Sequence, residues 1–504
     1  MRSPRTRLIP VALAVFLALV PAARAQDAAS EDFARRQYES GLAFLRDQKF
    51  AEALKDFQTV VDSYPNSRVA DAALLRIAEY QLDVAGDSAA AQAAVDTLQK
   101  RYATSESGPM GLVLAGRILV SKSRATADVD SALASYERVP RLFPGSDAVP
   151  ASIYYAGEAL RLTHRDDEAV LRYRQVSTDY PQSAWAPRAL LGEARCLVIA
   201  GKSARGMELL QRVRQRFPGT PEAATAVAWN TILYRLYLRA PGQPAYQFVA
   251  AKALAGTAGK LKDIQALAVA GDGTVYAATR SAVLLFDSSG KTLPALTAND
   301  ARSILFDRSG RAVLVCREGV VSPGTGTQGL SVPKQDGSPR VLDDIYSGVL
   351  TSTGDLLVVD KNAKNIARFS SAGRHVAPFA PVFADRLAID MTDRVVAIDQ
   401  DGSGLTLLEH DGRTRTKIPS RGQGYQFDKL VDVAVDPFGH VYVLDRNQAT
   451  VFVFTQSQQP KLVTSFGIPA KSPGHFRKGV CFGLDSAGRL YIYDDDAEKI
   501  QVYQ

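Results

Sequence analysis

The spacing of apolar residues changes near residue 240 and divides the chain into two kinds of structure. Before this point, apolar residues recur three or four positions apart, as in Ala53, Phe57 and Val60, which places them on one face of a helix. Beyond it, short runs rich in β-branched and aromatic residues follow a period of two, as in 441–444 and 490–493, and this is typical of strands. The pattern predicts an α-helical first half and a β second half.

The helical half is built from repeats. An aromatic residue, a proline and two small or polar residues recur at 64–67, 143–146, 180–183 and 217–220, and 101–105 is a degenerate copy. The positions 65, 103, 144, 181 and 218 are 38, 41, 37 and 37 residues apart. Because proline cannot donate to the preceding turn and clashes with it, each proline is expected to end the second helix of a pair. Five such units are predicted, followed by a capping helix over 221–239.

These units resemble the tetratricopeptide repeat, whose pattern is met by Gly41, Phe44, Ala53, Phe57 and Pro65. The aromatic-Pro-x-Ser ending is also similar to the repeats of bacterial cell-envelope assembly factors. The resemblance implies an α-solenoid with a groove lined by the first helix of each pair. Seven residues are expected to face that groove and to bind a partner: Tyr38, Arg76, Tyr80, Tyr154, Glu158, Arg161 and Arg195. The alternative is that they are solvated or lie between helices.

A predicted linker at 240–246, with two prolines and a glycine, separates the helical region 26–239 from the β region 247–504. In the β region, tight turns precede the strand runs, with anchors at 273, 310, 354, 393, 439 and 488. Six units with a mean spacing of 43 residues suit the four-stranded blades of a β-propeller.

The β unit resembles the NHL repeat, most closely at 433–445 and 488–494. The resemblance implies a six-bladed NHL-type propeller. Because the chain ends on what reads as the third strand of the last blade, we expect residues 247–251 to supply the fourth strand and close the ring, which removes an aggregation-prone edge.

The first 25 residues read as a secretory signal. Arg2, Arg5 and Arg7 precede an apolar run over 8–20, and small residues allow cleavage after Ala25. This predicts a periplasmic or secreted protein with no membrane-spanning segment after cleavage; an uncleaved signal anchor is the alternative. Loss of four leader arginines lowers the formal charge from +7 to +3, so bulk charge gives no argument for a nucleic-acid partner.

The titratable residues do not assemble into a recognisable catalytic motif. The five histidines lack the spacing of a zinc pair, so neither a metal nor another cofactor is predicted. Asp360, Asp399, Asp445 and Asp494 recur at the ends of second strands, where they either cap turns or form a cation-binding ring. Three widely spaced cysteines cannot form a disulfide framework; they read as buried thiols, with one disulfide pair as the alternative.

Recognition is the better-supported role for the propeller. Aromatic and cationic residues, which often anchor interfaces, concentrate on the links between blades and on second-to-third strand turns. The candidates for one propeller face are Lys361, Asn362, Arg421, Tyr425, Phe427, Arg446, Asn447, His475, Phe476 and Arg477. The alternative for Phe427 and Phe476 is packing between blades.

Two repeat architectures without a catalytic constellation favour a non-catalytic scaffold of the bacterial cell envelope that binds other proteins. Two alternatives stay open. One is a propeller enzyme similar to metal-dependent lactonases or lyases, with Asp445 or Asp494 holding the ion. The other is a module for cell-wall glycan, bound through Tyr425 and Phe476.

Overall fold

The protein is described by a computed structural model that places residues 12–240, 243–255, 259–322, 324, 326–467 and 475–504. The chain forms two compact units, the first ending at Tyr155 and the second beginning at Ala156. Residues 1–11 of the predicted signal peptide and 241–242 of the predicted linker lie outside the described residues.

The described part of the chain contains eleven α-helices. In chain order they are α1 Ala12–Arg46, α2 Phe50–Ser63, α3 Ala70–Tyr80, α4 Ser88–Arg101, α5 Gly108–Lys122, α6 Thr126–Leu142, α7 Ala148–Leu162, α8 Asp166–Asp179, α9 Ala186–Ile199, α10 Ser203–Arg216 and α11 Pro221–Leu233. Two π-helical turns, Gln81–Ala85 and Tyr234–Leu238, extend α3 and α11. None of the described helices is both long and apolar enough to cross a membrane.

The helices form five consecutive pairs followed by α11, as the repeats predicted. The second helices α2, α6, α8 and α10 each end one residue before the aromatic-proline step, where proline prevents a further helical turn. Small residues let the two helices of a pair approach. A Cβ atom at Gly41 of α1 would lie 2.6 Å from the ring of Phe57 in α2, which is closer than packed carbon atoms allow.

The second unit contains a six-bladed β-propeller. Its blade strands are β1 Ala266–Val269, β2 Val275–Ala278, β3 Ala282–Phe286 and β4 Thr292–Thr297; β5 Ala301–Phe306, β6 Ala312–Cys316 and β7 Gly319–Val321; β10 Ile345–Leu350, β11 Leu356–Asp360, β12 Asn365–Phe369 and β13 His375–Ala380; β14 Ala384–Ile389, β15 Val395–Asp399, β16 Leu405–Leu408 and β17 Thr414–Ile418; β20 Leu430–Val435, β21 Val441–Asp445, β22 Thr450–Phe454 and β23 Leu462–Phe466; β24 Gly479–Leu484, β25 Leu490–Asp494 and β26 Lys499–Tyr503. All pairings within blades are antiparallel between sequence neighbours. The inner strands β1, β5, β10, β14, β20 and β24 contact one another in a closed ring.

Two hairpins interrupt this regular order. The strands β8 Ser331–Pro333 and β9 Pro339–Val341 pair in the link between blades two and three, and β18 Arg421–Gly422 pairs with β19 Tyr425–Gln426 in the link between blades four and five. The first hairpin begins where Val320 of β7 bridges to Gln328, so blade two has a short, irregular outer edge.

The prediction that the segment after the linker closes the ring is confirmed. Phe248 and Leu254 form antiparallel bridges with Tyr503 and Ile500 of β26. The amide of Val249 donates to the carbonyl of Val502 at 2.9 Å. The closing segment is not a continuous strand, because Ala250–Lys252 forms a short 3-10 helix between the two bridges.

Candidate interaction surfaces

The propeller has two faces, which the direction of the strands distinguishes. We call the face where inner strands begin, with the blade links and second-to-third strand turns, the link face; it includes 360–365, 419–429 and 445–449. We call the opposite face, with the first-to-second strand turns, the turn face; it includes 390–394, 436–440 and 485–489.

The last helix of the helical region, α11, and the π-helical turn that follows it cover the turn face. The ring of Trp229 in α11 lies 5.2 Å from that of Phe438, and Arg235 donates to the carbonyls of Ala487 and Gly488 at 2.9 Å. Ile232 and Leu236 are buried in one core cluster with Phe438. The capping helix is therefore part of the propeller's own packing.

A chain of hydrogen-bonded polar groups continues this junction. The Tyr237 hydroxyl contacts Nε2 of His440 at 2.7 Å, and Nδ1 of the same ring contacts Oδ2 of Asp436 at 2.7 Å. Tyr442 donates to Asp436 at 3.4 Å and accepts a hydrogen bond from the hydroxyl of Tyr246 at 3.1 Å. Burial, followed by the charge of Asp436, raises the pKa of Tyr237 to about 12. Although part of its ring is exposed, this hydroxyl stays protonated and holds a helix to the propeller.

Three of the predicted groove residues lie in the second unit, and two of them need a correction. Arg161 and Arg195 are only 5% and 4% exposed, so they do not line a groove open to a partner. Arg161 donates to Glu158 at 2.8 Å, and Tyr173 also donates to that carboxylate. Burial raises the pKa of Glu158, but Arg161 and Tyr173 outweigh it and the net shift is downward.

The reason for the burial is the turn face of the propeller. Burial and then the charge of Arg161 lower the pKa of Arg195 to about 10, and Asp390 of the turn face opposes this. His164 lies 3.8 Å from Glu409, which itself pairs with Arg394 at 3.0 Å. The repeat pattern predicted the correct helix face for these side chains, but the propeller of the same unit packs against that face.

The remaining groove candidates lie in the first unit. Tyr38 packs 5.6 Å from Phe57. Arg76 pairs with Glu79 at 2.6 Å. Burial lowers the pKa of Arg76, but Glu79 and then Tyr38 outweigh it and the net shift is upward. Tyr80 packs 5.7 Å from Phe50. Tyr154 packs edge-on against Tyr155 at 5.2 Å.

The structure adds Arg117 to this set. Its guanidinium lies 4.5 Å from the ring centre of Tyr155 and also pairs with Asp83. Repeat spacing could have identified it, because Tyr38, Arg76, Arg117 and Tyr154 are separated by the repeat steps 38, 41 and 37. Cation–π pairs of this kind keep arginine side chains extended along an aromatic surface.

On the link face, the candidates separate into exposed and buried groups. Asn362, Arg421, Asn447 and Arg477 are exposed, and Lys361, Tyr425, Arg446 and His475 are partly exposed. Phe427 and Phe476 are buried at 6% and 0% exposure, so the structure favours packing within the propeller for both and corrects their assignment as contact residues. Tyr425 covers Phe427 at 4.9 Å and stands edge-on to Phe454 at 4.9 Å, and it remains partly exposed.

Three of the four recurring aspartates, Asp360, Asp445 and Asp494, cap turns, whereas Asp399 accepts the hydroxyl of Thr406 at 2.8 Å. Asp445 accepts the amides of Asp428 and Lys429 with Oδ2, and those of Asn447 and Gln448 with Oδ1. Asp494 makes the same contacts to Arg477, Lys478 and Asp496. In the described residues, no three His, Cys, Asp or Glu side chains form a shell for a metal ion. Cys196, Cys316 and Cys481 are buried free thiols.

Comparison with known proteins begins with the helical repeats. Residues 37–67 match the family model of the tetratricopeptide repeat. The chain therefore contains a tetratricopeptide repeat, and α1 and α2 supply its two helices. In this chain, the helical repeat region is followed by a six-bladed β-propeller.

No curated protein matches the sequence. Several solved structures are similar to parts of the chain. An auxiliary nutrient binding protein from Bacteroides thetaiotaomicron is 8% identical; the alignment covers 51% of this chain and 72% of that protein's chain, with a TM-score of 0.39. Virginiamycin B lyase from Staphylococcus aureus is 11% identical over 46% of this chain and 78% of its own, with a TM-score of 0.32. A tetratricopeptide protein from Thermus thermophilus is 17% identical over 39% of this chain and 97% of its own, with a TM-score of 0.33. At these identities and TM-scores, the similarity carries no argument about function.

Proposed function

We propose that the protein is a non-catalytic interaction scaffold of the bacterial cell envelope that binds protein partners through its tetratricopeptide region and the link face of its propeller. The observation that carries the proposal is that the chain's own helices cover one propeller face and not the other. The turn face is occupied by the chain's own helices through Trp229, Arg235 and Tyr237. The link face is left uncovered by the described residues of this unit.

The chemistry of the link face supports protein binding. Exposed Asn362, Arg421, Asn447 and Arg477 spread over several blades, and Tyr425 offers an aromatic ring held rigid by two phenylalanines. Rigid aromatics and arginines anchor protein interfaces at little cost in side-chain entropy. A stable interface buries about 1,600 Å² in total, which a propeller face can supply.

The first unit offers a second surface of similar chemistry. Tyr38, Arg76, Arg117 and Tyr155 combine aromatic rings with guanidinium groups. Their mutual contacts fix the side chains before a partner binds, which lowers the entropic cost of association. Envelope location is part of the proposal and rests on the basic, apolar and small-residue sequence of the first 25 residues.

Site-specific photo-crosslinking in intact cells tests this proposal. A photoreactive amino acid at Asn447 or Arg421 is expected to capture the same protein reproducibly, and one at Arg76 is expected to capture a protein as well. Val376, exposed on an outer strand at 53%, provides the control position. Crosslinks that are equal at Val376 and Asn447, or none from any position, would contradict the scaffold role.

The two alternatives have weaker support in the geometry. Asp445 and Asp494, the residues expected to hold an ion in an enzyme, already accept several backbone amides each. A glycan site would retain Tyr425 but not the buried Phe476. Neither alternative is needed to account for the two surfaces described above.

A further inference from the structure

A cavity of about 270 Å³ lies at the centre of the propeller and is lined by all six inner strands. It lies below the size range of sites for drug-sized ligands, which begins near 300 Å³, so only a small molecule fits. Apolar side chains such as Leu267, Ile304 and Val433 line much of it. The polar groups concentrate where the inner strands begin, at the link face.

Strand register identifies one position that is equivalent in all six blades. In five blades it pairs with the next-to-last or last residue of the second strand, and in four of these it follows a bulge at the start of the inner strand. In blade three it lies within the bulge between Ile345 and Gly348. The residues at this position are Ala266, Ser303, Ser347, Arg386, Asp432 and Cys481.

In three of the six blades this residue links one inner strand to the next. Ser303 accepts the amide of Gly348 at 3.1 Å, and Ser347 accepts that of Leu387 at 3.1 Å. Asp432 accepts the amide of Phe482 at 2.8 Å. These hydrogen bonds give the two serines and the aspartate a structural role, because each bond joins two neighbouring inner strands.

Arg386 departs from this role. Its guanidinium donates only to backbone carbonyls, at 3.1 Å to Asp385, 3.4 Å to Tyr346 and 3.4 Å to Gln265. Gln265 belongs to blade one and Arg386 to blade four, which are opposite in a ring of six. The guanidinium therefore lies across the mouth of the cavity, and its described hydrogen bonds include no carboxylate.

Two further polar atoms at the mouth lack partners. Gln265 Oε1 and Arg302 Nε are buried, with no hydrogen-bond partner among the described residues. Nη2 of Arg302 is already paired with Asp300 at 2.7 Å, so only the Nε side of this guanidinium is open to a ligand. Buried polar atoms without partners cost free energy that a ligand can recover. Since an amide can present either oxygen or nitrogen, Gln265 can donate to an anion as well as accept from a hydroxyl.

We propose that the mouth of this cavity binds a small carboxylate, held by the guanidinium of Arg386 with support from Arg302 and Gln265. Arginine suits this ligand because its planar N–H groups match the two oxygens of a carboxylate. The apolar wall below accommodates a short carbon chain. Access is from the link face, where the inner strands begin.

Asp432 sets the pH dependence of this site. Burial raises its pKa to about 6, although the charge of Arg386 and the two amides of Phe482 and Val433 oppose the shift. Cys481 beside it stays neutral because burial raises the pKa of the thiol. Burial also raises the pKa of Asp385, the neighbour of Arg386, so that carboxyl contributes to the pH dependence in the same direction. Below about pH 6 the Asp432 carboxyl is neutral and does not repel an anion, so binding is stronger there than at higher pH.

Calorimetric titration of the full-length protein with pyruvate, and separately with sulfate, tests the proposal at about pH 5 and about pH 8, where both probes are ionised throughout. We expect pyruvate to bind, and to bind more tightly at the lower pH. Binding of sulfate in the separate titration would not change this expectation. Arg386→Lys should weaken binding by about tenfold or more, because two directed charge-assisted bonds are replaced by one ammonium contact. Arg421→Lys, on the exposed hairpin, is the matched control and should change nothing.

Asp432→Asn supplies an independent measurement if Arg386→Lys does not fold. It keeps an acceptor for the Phe482 amide and should narrow the difference in pyruvate affinity between the two pH values, leaving only the part due to Asp385. The site assignment is overturned if pyruvate produces neither heat nor thermal stabilisation at either pH, if only sulfate binds, or if the folded Arg386→Lys variant binds like the parent. The link-face crosslinks do not depend on these outcomes.

Discussion

The hydroxyl of Tyr237 and Nε2 of His440 lie 2.7 Å apart, joining the end of the helical region to the fifth blade of the propeller. Because Oδ2 of Asp436 lies 2.7 Å from Nδ1, the imidazole joins this carboxylate to the tyrosine hydroxyl. One aspartate of a hairpin turn is thereby connected through His440 to a helix about 200 residues earlier in the chain.

Tyr237→Phe removes this bond and leaves the ring. We expect a loss of about 1 kcal/mol in the free energy of unfolding of the second unit, the usual net value for a neutral hydrogen bond. Urea unfolding followed by fluorescence measures it. Tyr234→Phe is the matched control, because Tyr234 is 55% exposed. Equal stability of the two variants would show that the Tyr237 bond contributes nothing.

Gly41→Ala tests the close approach of the helices in the first repeat. The added Cβ atom would lie 2.6 Å from the buried ring of Phe57, and such overpacking costs about 1–3 kcal/mol. Alanine gains up to about 1 kcal/mol of helix propensity, so a net loss of stability is expected. Circular dichroism melting measures it, with Gly145→Ala as the control since nothing lies within 4 Å of its added Cβ. A melting temperature for Gly41→Ala at or above that of the control would refute close packing here.

Val249→Pro tests ring closure. Proline removes the amide that donates to Val502 at 2.9 Å, and it should lower the Tm and increase light scattering as the edge of β26 becomes available. Ala250→Pro is the control, because Ala250 begins the 3-10 helix and proline is tolerated at a first helical position. If both variants melt and scatter alike, the closing bond is not what protects the edge.

The helical repeats and the blades could be predicted because their signals are local. Proline steps end α2, α6, α8 and α10, and the recurring aspartates at positions such as 445 cap turns within their own blade. The burial of Arg161 and Arg195 could not be predicted, since the groups that cover them, around Asp390 and Glu409, lie about 200 residues away in sequence.

The central site shows the same limit. Arg386 and Asp432 lie in two different blades, and nothing in the spacing between them in sequence indicates that they share a register position. Only the pairing of each inner strand with its neighbour makes them equivalent to Ser303 and Ser347. By contrast, the sequence identified Phe427 and Phe476 as notable aromatic residues. Because aromatic residues pack in cores as readily as in interfaces, only the structure could decide that both are buried.

The covered turn face leads to a prediction about how the chain can be divided. Trp229, Ile232 and Leu236 pack with Phe438 in one cluster, and exposing a buried side chain of this size costs about 1.5–3 kcal/mol. A fragment of residues 148–504 keeps this cluster and should be a folded monomer. A fragment of residues 243–504 has all the blade strands and the closing segment but exposes Phe438 and the aromatic surface around Tyr246, so it should aggregate or melt at a clearly lower temperature. Size-exclusion chromatography with light scattering distinguishes the two. If the shorter fragment is monomeric and melts like the longer one, the helices rest on a propeller that is stable without them, and the turn face becomes a second candidate for partner binding.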